Sequence, residues 1–318
     1  MLDSNEWTAL AGALSELLRV RVEIIDARSL SGGCISDVFA VSLRCDGIHS
    51  WLPPSDRQRG KPQVDLVIKR NSAERIAYFQ CEREGLLSIA ESGTIRVPQV
   101  YAVDVVGDHA YLAMELIRVG RSRSSTQRFS GFGQQLALFH HATKGDAMGW
   151  PTNNFLGAAD QPNGPSETWS EFVATRRIGF QIRWASDQGL ADQRLKSECD
   201  KIMSQMEQLL CGREETTSLL HGDLWSGNYL FDSEGQPVLI DPAVYRGCRE
   251  AEWGMITWFG NCGREFEQAY QEVWPMADGW RRRVGVYVLY HQLNHLNLFG
   301  SSYADACHRT AREILRAR

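Results

Sequence analysis

Two hydrophobic rhythms divide this chain. Trp7, Leu10, Leu14, Leu17 and Leu18 recur at helical spacing and predict an opening amphipathic helix. Short aliphatic runs follow, and strands are expected at 22–26, 38–43, 64–69, 97–106 and 110–117, the last two joined by Gly107-Asp108. The first two are separated by the turn-rich run Ser29–Ser36. A polar insert at 46–63, with Pro53, Pro54, Gly60 and Pro62, reads as a long mobile hairpin loop. Residues 72–91 read as a helix ended by Ser92-Gly93.

After Val119-Gly120 the period lengthens. Helices are expected at about 127–143, 167–188, 191–211, 250–260, 263–272, 279–297 and 302–317, interrupted only by a hairpin over Tyr229–Asp241. A strand-rich first third before a helix-rich remainder predicts an α+β, two-lobed chain. The expected division is a small N-lobe over 1–119, a five-stranded sheet plus a helix, and a larger helical C-lobe over 120–318.

A length of 318 residues is enough for each lobe to have its own core. The net charge of −5 argues against a nucleic-acid partner, which would need a basic face. The cysteines at 34, 45, 81, 199, 211, 248, 262 and 307 form no Cys-x-x-Cys pair, so neither a zinc site nor a disulfide framework is expected. The N-terminus is acidic where a signal peptide would be basic, and no apolar run approaches the roughly 18 residues of a membrane span. A cytoplasmic protein without a membrane partner is therefore expected; oligomeric state is left open.

The chemistry concentrates in Ser218–Phe231 and Val238–Ala243. Asp223, Asn228 and Asp241 stand five and then thirteen residues apart, around two apolar runs joined by Asp232-Ser-Glu-Gly235. This is the spacing of a kinase catalytic loop feeding a metal-binding loop. Asp223 would accept the proton of a substrate hydroxyl, and Asn228 with Asp241 would converge on Mg²⁺. His221 reads as a residue that orders the loop rather than as the base. Trp225 either stacks on substrate or anchors the loop.

Upstream, Gly32-Gly33 is either a turn that lets backbone N–H groups approach triphosphate oxygens or an ordinary β-turn. Lys69 ends an apolar strand, where an unpaired ammonium would be costly. A carboxylate on the next helix removes that cost, and Glu82 is preferred to Glu84 because it leaves Phe79, Leu86 and Leu87 to the core. Met114-Glu115-Leu116-Ile117 closes the last strand, as an adenine-binding hinge or as plain core. Cys34 is either a thiol whose thiolate phosphate-holding donors would stabilise or a small packing residue.

His221-Gly-Asp-Leu-Trp-Ser-Gly-Asn228 and Leu239-Ile-Asp-Pro-Ala-Val-Tyr245 resemble the fructosamine kinase (ketosamine-3-kinase) family, a protein-kinase-like branch related to aminoglycoside phosphotransferases and choline kinases. Supporting matches include Gly33-Cys-Ile-Ser36, Gly93–Pro98, Asn154-Phe-Leu-Gly157, Trp169 with Phe172, and Leu289–Gly300. Glu252-Trp253-Gly254 departs from the family's more usual Asp-Leu-Ala.

The resemblance implies ATP-dependent, Mg²⁺-assisted phosphorylation of the 3-hydroxyl of small-molecule or protein-bound ketosamines, fructosamine or ribulosamine adducts. The unstable product would then eliminate and free the amine, a deglycation. It also implies Asp223 as catalytic base, Asn228 and Asp241 on the metal, and Gly32, Gly33, Lys69, Glu82 and Glu115 to Ile117 at ATP. Trp225 and Asn154 are expected at the substrate. Two competing readings are a kinase of another small alcohol, such as an aminoglycoside or choline, and a nucleotide-binding pseudokinase. The former would not require Leu-Trp-Ser-Gly between Asp223 and Asn228; the latter would not require all of Lys69, Asp223, Asn228 and Asp241.

Overall fold

The computed structural model describes residues 4–30, 35–45, 63–120 and 123–317. Packing divides it into two units: Met1–Ser88 with Val97–Val119, and Ile89–Arg96 with Gly120–Arg318.

The first unit is an antiparallel sheet in the order β1-β2-β3-β5-β4. Its strands are β1 (Val22–Ser29), β2 (Asp37–Cys45), β3 (Gln63–Ser72), β4 (Val100–Val106) and β5 (His109–Glu115). The expected strand at 97–106 starts only at Val100, because Pro98 has no N–H to give the ladder. The two faces of β3 are read by parity. Leu66 and Ile68 join Leu10 and Leu14 of the Ser4–Leu18 helix on one face. Val67 packs on the opposite face, with Phe79 and Leu86 of the Ile76–Glu91 helix and Leu112 and Met114 of β5. Lys69, two residues on from Val67, therefore shares the face covered by that helix. Leu87, expected in the core, is 41% exposed, since only Phe79 and Leu86 of that trio lie on the helix's inner stripe.

In the second unit, helices Gln193–Ser204, Trp280–Phe299 and Ala304–Arg316 enclose a core that includes Leu195, Cys199, Ile202, Leu289, Leu293, Leu296, Cys307 and Ala311. The Ser125–Ala142 helix starts with a capping box between Ser124 and Gln127 and packs Phe129 and Phe132 on Tyr229 and Phe231 of the hairpin. Two of the expected helices are irregular, widening into π turns over Val173–Ile178 and Ile256–Gly260. The 229–241 hairpin is not the sole interruption. Asn154–Leu156 pairs with Ala159–Gln161, and Ser218–Leu220 with Tyr245–Gly247. Strands of three residues are too short for alternation to show in a sequence.

Candidate active site

Two three-residue ladders frame the loop 221–228. Ser218–Leu220 leads into it and pairs with Tyr245–Gly247; Tyr229–Phe231 leaves it and pairs with Pro237–Leu239. The segment 240–244 thus runs back alongside the loop, and backbone bonds join the two. Ala243 N–H donates to the His221 carbonyl (2.8 Å), and Ile240 N–H donates to the Asn228 carbonyl (3.0 Å). Gly222 sits at φ +84°, and a Cβ there would come 2.1 Å from the Ala243 carbonyl oxygen. Only glycine permits both that backbone conformation and that approach.

His221 is fully buried. Its Nε2 lies 2.8 Å from the Ile240 carbonyl, and Asp223 N–H donates to its Nδ1 at 3.3 Å, which assigns the Nε2–H tautomer. Burial holds the imidazole below its ordinary pKa, hence neutral. With both nitrogens engaged by backbone, it orders the loop.

Beneath the loop lies a residue that sequence reasoning treated only as a departure from pattern. Glu252 is 2% exposed; its Oε2 accepts from His221 N–H at 2.6 Å and its Oε1 from Gly222 N–H at 3.0 Å. His140 Nε2 stands 3.5 Å from Oε2. Burial alone would raise the carboxyl pKa; the contact with His140 and the bond from the His221 N–H outweigh it and hold the group below its ordinary value. A signal was present in the sequence. An acidic residue inside the otherwise apolar run Ala251–Ile256 needs a partner.

Asp223 is half-buried, and Asn228 is 5% exposed. Asn228 Nδ2 donates to the Asp223 carbonyl (2.9 Å) and to Asp223 Oδ2 (3.1 Å), and lies 3.5 Å from the Asp241 carbonyl. Desolvation first, and the Asp241 charge second, push the Asp223 carboxyl up to about 7, against the opposing Asn228 bond. Asp241 is exposed and holds φ +54°, a left-handed conformation uncommon outside glycine that the bracing on either side maintains. Asn228 spends its amide N–H on Asp223, and its Oδ1, like the Asp241 carboxylate, is a hard oxygen donor. That donor set fits Mg²⁺, which takes one or two protein oxygens together with phosphates and waters.

Trp225 is half-buried, with its indole over Gly227, where a Cβ would come 2.3 Å from the ring. Asn154, expected at the substrate, is 4% exposed. Its Nδ2 donates to the Val244 carbonyl (2.7 Å), and its Oδ1 accepts from Gln161 (2.8 Å) and Asn163 (2.7 Å). This amide supports the 243–244 backbone from below. Sequence reasoning also missed Arg177, 2% exposed, which bonds Asn163 and lies over the rings of Phe172, Tyr245 and Tyr290.

In the first unit Lys69 Nζ meets Glu82 Oε1 at 2.7 Å, with side chains 10% and 13% exposed. Glu115 ends β5, where its N–H donates to the Gln99 carbonyl (2.8 Å); Leu116 is half-buried and Ile117 buried. Gly32, Gly33 and Cys34, and residues 46–62 of the insert, lie outside the described residues.

Known proteins bear on this geometry. The sequence profile of the fructosamine kinase family matches residues 6–317. The Arabidopsis thaliana protein-ribulosamine 3-kinase, a chloroplastic protein, is 36% identical over 314 residues, covering 98% of this chain and 87% of its own. A Thermobifida fusca structure provisionally described as a fructosamine-3-kinase is 30% identical, with a TM-score of 0.80 over 97% of this chain and 99% of that one. The aminoglycoside phosphotransferase APH(4)-Ia, at 17% identity and a TM-score of 0.61 over 98% of both chains, shares the protein-kinase-like fold. This chain belongs to the fructosamine kinase family.

Proposed function

We propose that this fructosamine kinase family member transfers the γ-phosphoryl group of ATP to the 3-hydroxyl of ketosamines, with Asp223 as the proton acceptor. The observation that carries the reading is Asp223 itself. Its carboxyl is pushed up to about 7 by burial and by Asp241, so at neutral pH it can take a proton from a hydroxyl and later release it. Asn228 fixes the orientation of that carboxylate through the 3.1 Å bond from Nδ2. Asn228 Oδ1 and Asp241 would hold Mg²⁺, which when bound neutralises charge developing on the transferred phosphoryl group. Lys69, positioned by Glu82, would pair with nucleotide phosphate, and Glu115 to Ile117 would meet the adenine.

Little covalent work falls to the side chains here. Their contribution is to orient the acceptor oxygen, desolvate it and remove its proton. A 3-phosphoketosamine carries its phosphate on C3, β to the amine-bearing C1; loss of a C1 proton gives a C1–C2 enaminol whose nitrogen lone pair can expel the phosphate from C3. Hydrolysis of the resulting C1 imine by water would then release the amine and make the reaction a deglycation. Cys45, Cys81, Cys199, Cys211, Cys248, Cys262 and Cys307 all carry free thiols, which suits a reducing cytoplasm. Among the described residues no helix is long and apolar enough to cross a membrane.

The test is ATP consumption with Mg²⁺ and ribulose-lysine, fructose-lysine, choline or kanamycin as acceptor. Turnover with at least one of the two ketosamines and with neither choline nor kanamycin is expected. Turnover with choline or kanamycin in place of the ketosamines would overturn the substrate assignment, and ATP binding without turnover of any acceptor would overturn the assignment of catalysis.

A further inference from the structure

Asp241 holds an unfavoured backbone. Its φ of +54° is left-handed, and the following Pro242 biases that residue towards extended conformations instead. Such a conformation persists only where the surroundings over-determine it. On the loop side, the N–H groups of Ile240 and Ala243 bond the Asn228 and His221 carbonyls. The carbonyls of the same segment are held by a different element. Gln161 Nε2 donates to the Ala243 carbonyl at 3.0 Å, and Asn154 Nδ2 donates to the Val244 carbonyl at 2.7 Å. These two residues stand directly opposite each other in the ladder of Asn154–Leu156 and Ala159–Gln161.

The orientation of both amides is dictated from further inside. Arg177 is 2% exposed, and its guanidinium has N–H groups to give but no acceptor. It donates to the Pro162 carbonyl at 2.6 Å and to Asn163 Oδ1 at 2.8 Å. Asn163 therefore presents Nδ2 to Asn154 Oδ1, at 2.7 Å, and Asn154 in turn presents Nδ2 to Val244. Asn154 Oδ1 also accepts from Gln161 Nε2 at 2.8 Å, which turns Gln161 Oε1 towards the Tyr290 hydroxyl at 2.9 Å. Donors thus run head to tail from Arg177 and Tyr290 to two consecutive backbone carbonyls. The three amides and Tyr290 are at most 4% exposed, so each bond polarises the next with little competition from water. Burying a guanidinium and three amides is costly, and packing alone does not require it.

What the network fixes is the exit from Asp241. Ala243 lies two residues on, and the ring of the intervening Pro242 locks its own φ, so little slack separates the held carbonyls from the Asp241 backbone. The bond from Ile240 N–H to the Asn228 carbonyl fixes the entry. Between these anchors the left-handed turn has one place to put its carboxylate. We infer that Gln161 and Asn154, their amides oriented by Arg177, are positioning residues for Asp241 and set the affinity of this protein for Mg²⁺. This rests on the assignment of Mg²⁺ to Asn228 and Asp241 in the reading above.

The experiment titrates Mg²⁺ into the full chain in the presence of the fluorescent nucleotide mant-ADP and reads the half-saturating Mg²⁺ concentration. Gln161→Glu sets a carboxylate oxygen against the Ala243 carbonyl or Asn154 Oδ1, and should raise that concentration about tenfold, as when the support of a metal ligand is lost. Tyr290→Phe removes one hydroxyl, leaves the core filled and frees the Gln161 amide to turn; a rise of about threefold is expected, the worth of one neutral hydrogen bond. Affinity for mant-ADP without metal should stay within about twofold of the parent, as for independent sites. In turnover, KM for Mg²⁺ should rise while kcat at saturating Mg²⁺ holds. A partly unfolded preparation would instead lose amplitude at an unchanged Mg²⁺ midpoint. Midpoints within about twofold of the parent in both variants overturn the inference. So does an equal shift in Asp160→Asn, an exposed change on the same strand as Gln161. Should Gln161→Glu fail to fold, Tyr290→Phe alone decides. A response of the parent to Mg²⁺ keeps the two failures distinct. Its presence with unshifted variants removes the positioning role alone, and its absence removes the metal assignment of Asn228 and Asp241 as well.

Discussion

Replacing Glu252 by Gln isolates the support of the loop 221–228 from the chemistry proposed for it. The substitution preserves shape but exchanges one carboxylate oxygen for an NH₂ group. Both oxygens now accept backbone N–H, from His221 at 2.6 Å and Gly222 at 3.0 Å, so one donor must face another whichever way the amide turns. A hydrogen bond to a charged group contributes about 1.5–3 kcal/mol, and a buried donor left unsatisfied costs a further 1–3 kcal/mol. The site is 2% exposed, so water is poorly placed to repair the loss. A combined cost of roughly 3–4 kcal/mol is expected, partly relieved by movement of the loop. Amide hydrogen exchange reads this locally. Protection at His221 and Gly222 should fall by about 10²-fold, since each 1.4 kcal/mol is tenfold. In urea the unfolding midpoint should drop with an unchanged slope. Turnover should fall because Asp223 sits one residue beyond the released amide. Unchanged protection at both amides would refute the reasoning, whatever happened to activity.

Four further outcomes follow from the geometry. In the metal-free protein, NMR titration of the Asp223 carboxyl should give a midpoint near 7, and Asp241→Asn, by removing a like charge, should lower it. The folded pKa of Asp223 lies above its unfolded value, so the folded state binds the extra proton between them; stability from this group is present at low pH and lost as pH rises through 7. Asp223→Asn should accordingly raise Tm more at pH 8 than at pH 5 while lowering kcat by about 10²–10⁴; a parental kcat would remove Asp223 as base. Glu82→Ala leaves Lys69 buried without its carboxylate and should cost about 3–5 kcal/mol in urea unfolding, whereas the double variant Lys69→Met/Glu82→Leu should recover most of it. Gly227→Ala places a Cβ 2.3 Å from the Trp225 ring, so its kinetics should match those of Trp225→Ala; parental kinetics would show that the indole's position is immaterial.

The reading of local pattern extended far into this molecule. Parity along β3 and helical spacing along 76–91 put Lys69 opposite a choice of carboxylates, and the structure resolves the choice at Glu82, 2.7 Å away. Spacing also placed Asp223, Asn228 and Asp241 around a hairpin, where the structure brings Asn228 within bonding distance of Asp223. The limits are equally physical. Asn154 matched the pattern expected of a substrate residue, yet its amide bonds are consumed by Val244, Gln161 and Asn163, partners up to 90 residues away. Leu87 shares the hydrophobicity of Leu86, but a turn of 100° per residue carries it off the inner face, where it is 41% exposed.

What the sequence determined by itself was whatever repeats locally or is fixed by short spacing: the strand-rich and helix-rich halves, the spacing of Asp223, Asn228 and Asp241, and the family. Tertiary structure alone decided what lies beneath and beside that loop. Glu252 reaches His221 across 31 residues, Trp258 meets His295 and Tyr303, and Phe259 meets His295, across the gap between helical segments. Such pairings carry no periodicity, because a buried charge or an aromatic cluster is satisfied by any partner that packing brings near. Which partner that is depends on the whole fold rather than on the neighbouring residues.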